Sequence, residues 1–225
     1  MPHKRKDLKI EGSNLWYLVG LITSDGSLSC DGRHIDVTSK NYQFLYELKS
    51  ALKLKNKISI KNKGKIYQAY HIQLSNKTFY NFLLTTGLMP NKTSRLGAIK
   101  VPDKYFCDFL RGLIDGDGNI RRWIHPSNGR EQWVLRIYIG SKSFAEWLQG
   151  TIEKLLQAKG RVHIEERELS TQPLYILKYG KIAAKVILKC CYYSRAFSMK
   201  RKARLARECL ASRVGWKQSK TVVSF

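Results

Sequence analysis

Two spacings of apolar residues organise the chain. Spacings of three and four residues, as in the run Phe44, Leu45, Leu48 and Leu52, predict amphipathic helices. Alternation of apolar and polar residues, as over positions 27–38, predicts half-buried strands. In each half of the chain these patterns follow one another in the order helix, hairpin, helix, hairpin, helix.

The two halves are copies of one plan. The nonapeptide LVGLITSDG at 18–26 returns as LRGLIDGDG at 110–118, 92 positions later. Amphipathic runs that open with Ser39 and Ser141 are offset by 102, and the apolar stretches that follow Lys77 and Lys181 by 104. We therefore predict an N-terminal repeat at 1–93, a linker at 94–104, and a C-terminal repeat at 105–225 that ends in a basic tail after Met199.

The hairpins have one apolar face. A two-residue turn at Asp31 and Gly32 pairs Ser27 with Asp36 and Leu28 with Ile35. The residues expected to point inward in the first repeat are then Leu28, Cys30, Ile35, Val37, Ile58, Ile60, Ile66, Ile72 and Leu74.

The opposite faces of these hairpins are polar and basic. In the first repeat the candidate contact residues are Ser27, Ser29, Arg33, His34, Asp36, Thr38, Ser59, Lys61, Lys65, Tyr67, His71 and Gln73. In the second they are Arg121, Trp123, His125, Arg136, Tyr138, Arg161, His163 and Arg167. The chain carries 41 Lys and Arg against 17 Asp and Glu, a net charge of +24, so these faces predict a platform for nucleic acid.

Composition narrows the class and the compartment. Hydrophobic residues make up 43% of the chain, which indicates a folded globular protein. The longest stretch without a charged residue, 78–91, is too short to cross a bilayer, and no apolar signal core follows the basic N-terminus. We expect a protein that is not secreted and acts in the cytoplasm and nucleoid, or in an organelle matrix.

Five cysteines without a Cys-x-x-Cys pair predict reduced thiols, with neither a disulfide framework nor a zinc site.

The repeated nonapeptide carries the candidate chemistry. Gly20 and Gly112 each share a helical face with a small residue four positions later, which allows two helix backbones to approach closely. If the helices pack side by side, Asp25 and Asp117 meet at their ends. At ~5 Å and an effective dielectric of ~20, their repulsion is roughly 3 kcal/mol. The pair therefore predicts a site for a hard divalent cation, which could activate water beside a phosphodiester.

The two nonapeptides resemble the motif of the LAGLIDADG homing endonucleases, in the monomeric form with two motifs per chain. The resemblance extends from about Asn14 to about Leu210. It implies an α+β fold, a pseudo-twofold pair of αββαββα repeats that form a DNA-binding saddle of two antiparallel sheets. It also implies magnesium-dependent cutting of both strands of double-stranded DNA at a long, degenerate target. Manganese is expected to substitute for magnesium, and calcium to bind without supporting efficient cleavage.

The resemblance also assigns roles to residues. Asp25 and Asp117 correspond to the catalytic, metal-binding acids, and the carbonyls of Ser24 and Gly116 to further metal ligands. Lys77 and Lys181 correspond by position to basic residues near the metal-bound water. The first copy has Thr23 where the motif has its first acid.

One alternative stays open, a DNA-binding protein of this fold that does not cut, or an intron RNA maturase. Retention of both motif acids favours the endonuclease. The chain begins at Met1 and ends Val223-Ser224-Phe225, without the terminal residues that a self-splicing intein needs. We therefore expect a free-standing or intron-encoded protein.

Overall fold

The computed structural model describes residues 10–63, 67–167 and 170–213 as two αββαββα repeats and a final helix, which confirms the predicted α+β class. The elements of the first repeat are α1 (Gly12–Asp25), β1 (Gly26–Leu28), β2 (His34–Ser39), α2 (Tyr42–Ala51), β3 (Ile58–Lys63), β4 (Tyr67–Ser75) and α3 (Lys77–Thr86). Those of the second are α4 (Phe106–Asp117), β5 (Gly118–Ile124), β6 (Glu131–Ile139), α5 (Lys142–Leu156), β7 (Arg161–Arg167), β8 (Ser170–Gly180) and α6 (Lys181–Cys191). Helix α7 (Lys200–Ala211) follows, and a 3-10 helix (Asp103–Tyr105) precedes α4.

The two sheets share one topology. Each has four antiparallel strands, in the order β1-β2-β4-β3 in the first and β5-β6-β8-β7 in the second. In both sheets the strand at one edge, β1 or β5, continues directly from a motif helix. Among the helices within the described ranges, none is both long and apolar enough to span a membrane.

The two motif helices pack through their glycines, as the sequence predicts. A Cβ atom on Gly20 would lie 2.0 Å from the carbonyl oxygen of Phe109, and one on Gly112 would lie 2.1 Å from that of Tyr17. Such distances leave no room for a methyl group. The backbones of α1 and α4 therefore touch at the centre of the molecule, and this contact joins the two repeats.

The first hairpin has the predicted register. Ser27 lies opposite Asp36 and Leu28 opposite Ile35, and Val37 is buried with the apolar pair. The inward placement of Cys30 is wrong: the side chain is exposed. Strand β1 ends at Leu28, so Cys30 belongs to the turn rather than to the alternating strand.

The second hairpin of the first repeat is less enclosed than the sequence predicts. Ile72 and Leu74 are buried, but Ile60 is 55% exposed although it has the inward parity. Its strand, β3, is the outermost strand of the sheet, so the inner side of Ile60 opens to solvent. Ile66 lies outside the described residues.

The repeats align differently from the predicted offset of 102 at the second helix. Asn41 is the N-cap of α2, where its side chain accepts a hydrogen bond from the N–H of Phe44, and Ser141 is the N-cap of α5. These caps are 100 positions apart. Strand β2 continues through Ser39, so the N-cap of the first-repeat helix lies two residues after this serine and the helix begins at Tyr42.

The basic segment after Met199 is a packed helix, not a free tail. Helix α7 buries Lys202, Ala206 and Cys209, and the Nζ of Lys185 on α6 donates to the carbonyl of Leu210 over 3.0 Å. Its amphipathic pattern places one face against the protein and leaves the other basic residues exposed.

The structure joins Cys107 of α4 to Cys190 of α6 in a disulfide, with Cα atoms 5.7 Å apart. The prediction of reduced thiols is therefore wrong for this pair and holds for Cys30, Cys191 and Cys209, which are free. The two bonded residues are 83 positions apart, and only the packing of α6 on α4 brings them together.

Candidate active site and nucleic-acid interface

The two motif acids stand at the adjoining ends of α1 and α4. Gly26 and Gly118 leave the helical conformation directly after Asp25 and Asp117, and each donates its N–H to the preceding helical turn. A Cβ atom on Gly116 would lie 3.3 Å from the Cγ of Asp25. The carboxyl group of α1 is therefore packed against the end of α4, and the structure brings Asp25, Gly116 and Asp117 together.

Burial makes both carboxylates costly to ionise. Burial, reinforced by the negative charge of Asp117, raises the pKa of Asp25 from 3.8 to about 6. Burial raises the pKa of Asp117 as well. The positive charges of Lys202 and Lys92 act in the opposite direction on both acids. The pair thus has the electrostatic character of a functional site.

These two buried lysines are site residues that the sequence patterns do not indicate. The Nζ of Lys92 donates to the carbonyl of Gly26 over 2.5 Å. The Nζ of Lys202 donates to the carbonyls of Ile114, Asp115 and Gly116 over 2.6, 2.5 and 3.0 Å. A cation at the C-terminal end of a helix is stabilised by the helix dipole.

Burial lowers the pKa of both lysines, that of Lys202 to about 8. Lys92 lies between α3 and α4, and Lys202 lies on α7, so neither belongs to the hairpin alternation that predicts the contact residues.

The structure does not bring Lys77 or Lys181 to the acids. Lys77 begins α3 at the tip of the first hairpin, where the N–H of Asn76 donates to the carbonyl of Arg33. The Nζ of Lys181 donates to the carbonyl of Glu131, which lies opposite Ile124 at the far end of β5. Six residues of strand, roughly 20 Å at ~3.3 Å per residue, separate that end from Gly118. The strands run away from the motif acids, which explains the misplacement.

The first acid of the second motif is structural. Asp115 is fully buried and accepts hydrogen bonds from the hydroxyls of Tyr17 and Tyr192, both over 2.8 Å, and from the N–H of Met199 over 2.7 Å. These bonds hold the connection between α6 and α7 against α4. Thr23, at the same position of the first copy, donates to the carbonyl of Val19 within its own helix. The departure of Thr23 from the motif therefore leaves the paired acids intact.

The donors around the acids fit a hard divalent cation. Asp25 and Asp117 supply carboxylate oxygens, Ser24 and Gly116 line the cavity beside Asp25, and the carbonyl of Gly116 accepts a hydrogen bond from the Nζ of Lys202. Within the described part of the chain no three His, Cys, Asp or Glu residues form a metal-binding group. Two carboxylates suit Mg²⁺, which commonly completes its shell with water and substrate phosphate, better than a cation that needs a full protein cage.

Two cavities of unequal size flank the acids. An open cavity of about 690 Å³ lies beside Asp25, between the ends of the first sheet and α7. Its basic lining residues are Lys40, Lys61, Lys92, Arg201 and Lys202. A cavity of about 70 Å³ lies beside Asp117 and is lined by Lys92, Thr93, Tyr138 and Ser141 among others.

The outward face of the first sheet is polar and weakly charged. Ser27 and Asp36 form one cross-strand pair, Thr38 and Ser59 both lie opposite His71, and Gln73 lies opposite Asp36. On this face the Nδ1 of His71 lies 2.8 Å from the Oδ1 of Asp36, and the Nζ of Lys61 donates to the hydroxyl of Thr38 over 3.4 Å.

The remaining candidates of this repeat lie near the hairpin tips. The N–H of Ser29 donates to the carbonyl of His34, and Arg33 lies in the turn with its Nε 3.7 Å from Asp31. Tyr67 begins β4, and of its side chain nothing is described. Lys65 lies outside the described residues.

The outward face of the second sheet is more basic. Its predicted residues Arg121, Trp123, Arg136, Tyr138, Arg161 and His163 share one parity across the register. His125 lies beyond the end of β5, in the turn, and Arg167 ends β7, its side chain outside the description. The register places three further residues on this face, Asn119, Gln132 and Lys178. The alternation along β8 carries a signal for Lys178, because Leu177 and Tyr179 are buried on either side of it.

Comparisons with known proteins identify the fold. No protein-family profile and no curated protein sequence matches the chain. By structure, it is similar to the homing endonuclease I-WcaI bound to its DNA recognition sequence, with a TM-score of 0.63, 13% identity, and coverage of 94% of this chain and 90% of that one. It is also similar to the homing endonuclease I-DmoI in complex with DNA and Ca, with a TM-score of 0.57, 19% identity, and coverage of 87% and 97%.

The third similarity is to full-length WhiA from Thermatoga maritima, with a TM-score of 0.55, 14% identity and coverage of 90% of this chain. This chain spans 62% of the length of that protein, whose N-terminal part is described as a LAGLIDADG domain. Together these similarities confirm the LAGLIDADG fold predicted from the two nonapeptides.

Proposed function

We propose that this protein is a site-specific endonuclease that cuts both strands of double-stranded DNA, acts as a monomer and depends on a divalent metal. The fold alone does not select cleavage, because similarities at 13 to 19% sequence identity show a shared fold and not a shared reaction. The observation that carries the proposal is the pair of half-buried acids, Asp25 and Asp117, one from each repeat, with raised pKa values and flanked by Lys92 and Lys202.

The two sheets supply the binding surface for this reaction. They present polar and basic side chains on both sides of the paired acids, and the chain has a net charge of +24. Phosphate contacts from lysines position a duplex, and arginines can read guanine in the major groove. I-WcaI and I-DmoI, which share the fold, are described in complex with DNA.

In the proposed mechanism the protein contributes charge and position. Asp25 and Asp117 would hold Mg²⁺, or Mn²⁺ in its place, with the carbonyl of Ser24 as a further ligand, because the carbonyl of Gly116 already accepts from Lys202. Bound metal supplies activation of water and neutralisation of phosphate charge. Lys92 and Lys202 fix the backbone at the ends of α1 and α4 and offset the charge of the acids.

The test begins with a target recovered by sequencing the ends that the protein produces on a randomised DNA library with magnesium. Asp25→Asn and Asp117→Asn should each abolish double-strand cleavage while binding in calcium stays within a few-fold of wild type, because each change removes one metal-binding charge and no sheet contact. Asp103→Asn, an exposed carboxylate before α4, is the matched control and should cut normally.

The outcomes separate the proposal from its alternative. Binding of one DNA sequence without cleavage by the wild-type protein would support a DNA-binding protein that does not cut. Preferential binding of structured RNA over the duplex would support a maturase. Efficient cleavage by the double Asn variant would show that the reaction uses other residues.

A further inference from the structure

The pseudo-twofold relation places different residues at equivalent positions beside the two acids. Gly26 and Gly118 follow the acids directly, and each lies opposite a residue of the next strand. These partners are Val37 on β2 and Ile137 on β6. The next residues along the two strands, Thr38 and Tyr138, therefore occupy equivalent positions. A small hydroxyl residue on one side thus corresponds to a bulky aromatic residue on the other.

The outer strands β3 and β7 also carry different residues at equivalent positions. Lys61 on β3 lies opposite Ala69, and Glu165 on β7 lies opposite Leu174. Thr38 lies opposite His71 on β4, and Tyr138 lies opposite Ile176 on β8. Ala69 and Leu174 each come two residues before these partners along the same strand. The pairs are therefore equivalent, and a lysine with an alanine on one side corresponds to a glutamate with a leucine on the other.

These exchanges coincide with the difference between the two cavities. Beside Asp25 the cavity is about 690 Å³ and includes Lys61, whose Nζ reaches the hydroxyl of Thr38. Beside Asp117 it is about 70 Å³, includes Tyr138, and has Lys92 as the basic residue of its described lining. Although the outward face of the second sheet is the more basic one, within these two cavities a phosphate of the duplex would meet more space and more positive charge beside Asp25.

We propose that Lys61 is a positioning residue for one DNA strand, and that the phosphodiester beside Asp25 is hydrolysed before the one beside Asp117. This inference rests on the proposed endonuclease function. In each cut, water adds across one P–O bond, which leaves a hydroxyl on one fragment and a phosphate monoester on the other. The ammonium group of Lys61 holds the phosphate in the larger cavity, and Glu165 at the equivalent position provides no such attraction.

The test follows each strand separately. The recovered target is placed in a supercoiled plasmid and in a duplex with a different fluorophore on each strand, and single-turnover cleavage is started with magnesium. Wild type should accumulate nicked circle and cut one strand faster. Lys61→Ala should slow that strand at least about tenfold and the other less than about twofold, since loss of a positioned charge affects the phosphate it holds. Glu165→Lys should accelerate the slower strand.

Lys55→Ala is the matched control, because it removes the same charge from an exposed position in the loop between α2 and β3. It should change neither rate. Equal slowing of both strands by Lys61→Ala would overturn the strand-specific role and make Lys61 a general phosphate contact. Equal cutting of both strands by wild type would overturn this inference and leave the endonuclease function standing. Absence of cleavage by wild type would overturn both.

Discussion

Gly20 and Gly112 are the residues at which the two motif helices touch. A methyl group at either position would meet a backbone carbonyl at about 2 Å, and backbone cannot rotate away as a side chain can.

We expect Gly20→Ala to lower the free energy of unfolding by at least about 3 kcal/mol, because the whole crossing of α1 and α4 must shift to admit the methyl group. Gly150→Ala is the control: Gly150 lies inside α5, and a Cβ there would meet nothing within 4 Å. This control should raise the free energy of unfolding by about 0.5 to 1 kcal/mol, because alanine favours a helix interior over glycine by that amount. Urea unfolding of both variants measures these free energies. Similar values for the two variants would contradict the close backbone contact of α1 and α4 at Gly20.

Asp25 predicts a second effect, on the pH dependence of stability. Its pKa rises from 3.8 to about 6 in the folded protein, so the folded state binds this proton more tightly than the unfolded state. The stability that this proton contributes is present at low pH and is lost as pH rises from about 4 through about 6.

Without metal, Asp25→Asn should therefore raise the free energy of unfolding at pH 7 by about 1 to 3 kcal/mol and flatten its dependence between about pH 4 and 6. Unfolding curves at several pH values in chelator check this, with Asp103→Asn as the exposed control. A variant that is less stable than wild type at pH 7 would contradict the assigned pKa. The same substitution should abolish cleavage, so the site trades stability for function.

At the scale of elements, α7 matters because it places Lys202 between the end of α4 and the cavity beside Asp25. It carries Lys202 to three carbonyls in the last turn of α4, and the hydrogen bonds of Asp115 hold the preceding connection in place. A segment that reads in sequence as a basic tail thus forms a wall of the candidate active site.

Lys202→Met keeps most of the side-chain volume and removes the ammonium group. We expect cleavage to fall at least about 100-fold, because the charge that offsets the two acids is lost. Arg204→Met, on the exposed face of the same helix, should cut within about twofold of wild type, as surface charges contribute little. Single-turnover cleavage measures both, with circular dichroism to confirm folding, and equal losses would assign the effect to α7 as a whole.

Sequence patterns predict the helices and strands better than they predict which distant residues the folded chain brings into contact. Alternation locates the strands and the outward side chains of both sheets, because each strand has one buried face. The site lysines are different: Lys92 lies in a connection, and Lys202 becomes buried only when α7 folds back onto α4. Likewise, Cys107 and Cys190 meet through helix packing, which no local spacing encodes.

At the scale of the whole molecule, the charge of +24 predicts steep salt dependence of DNA binding. A saddle that neutralises about ten phosphates should give a slope near −9 for log K against log salt, roughly a 10⁵-fold loss of affinity from 50 to 200 mM. Fluorescence anisotropy in calcium measures this slope without cleavage. A slope shallower than about −3 would mean that the basic surface serves another partner.

The backbone contact between α1 and α4 has a mechanical consequence for the DNA. Because no side chain lies between the helices at their glycines, the two sheets are joined through a contact that cannot yield. Any mismatch between the proposed duplex and the two faces must therefore be taken up by bending of the DNA. Bending a site of about 20 to 30 base pairs costs about 1 to 6 kcal/mol, and the cost is lowest where flexible pyrimidine–purine steps lie at the bend. Base preference at the midpoint of the target should therefore follow the stiffness of the DNA rather than hydrogen bonds to its base edges.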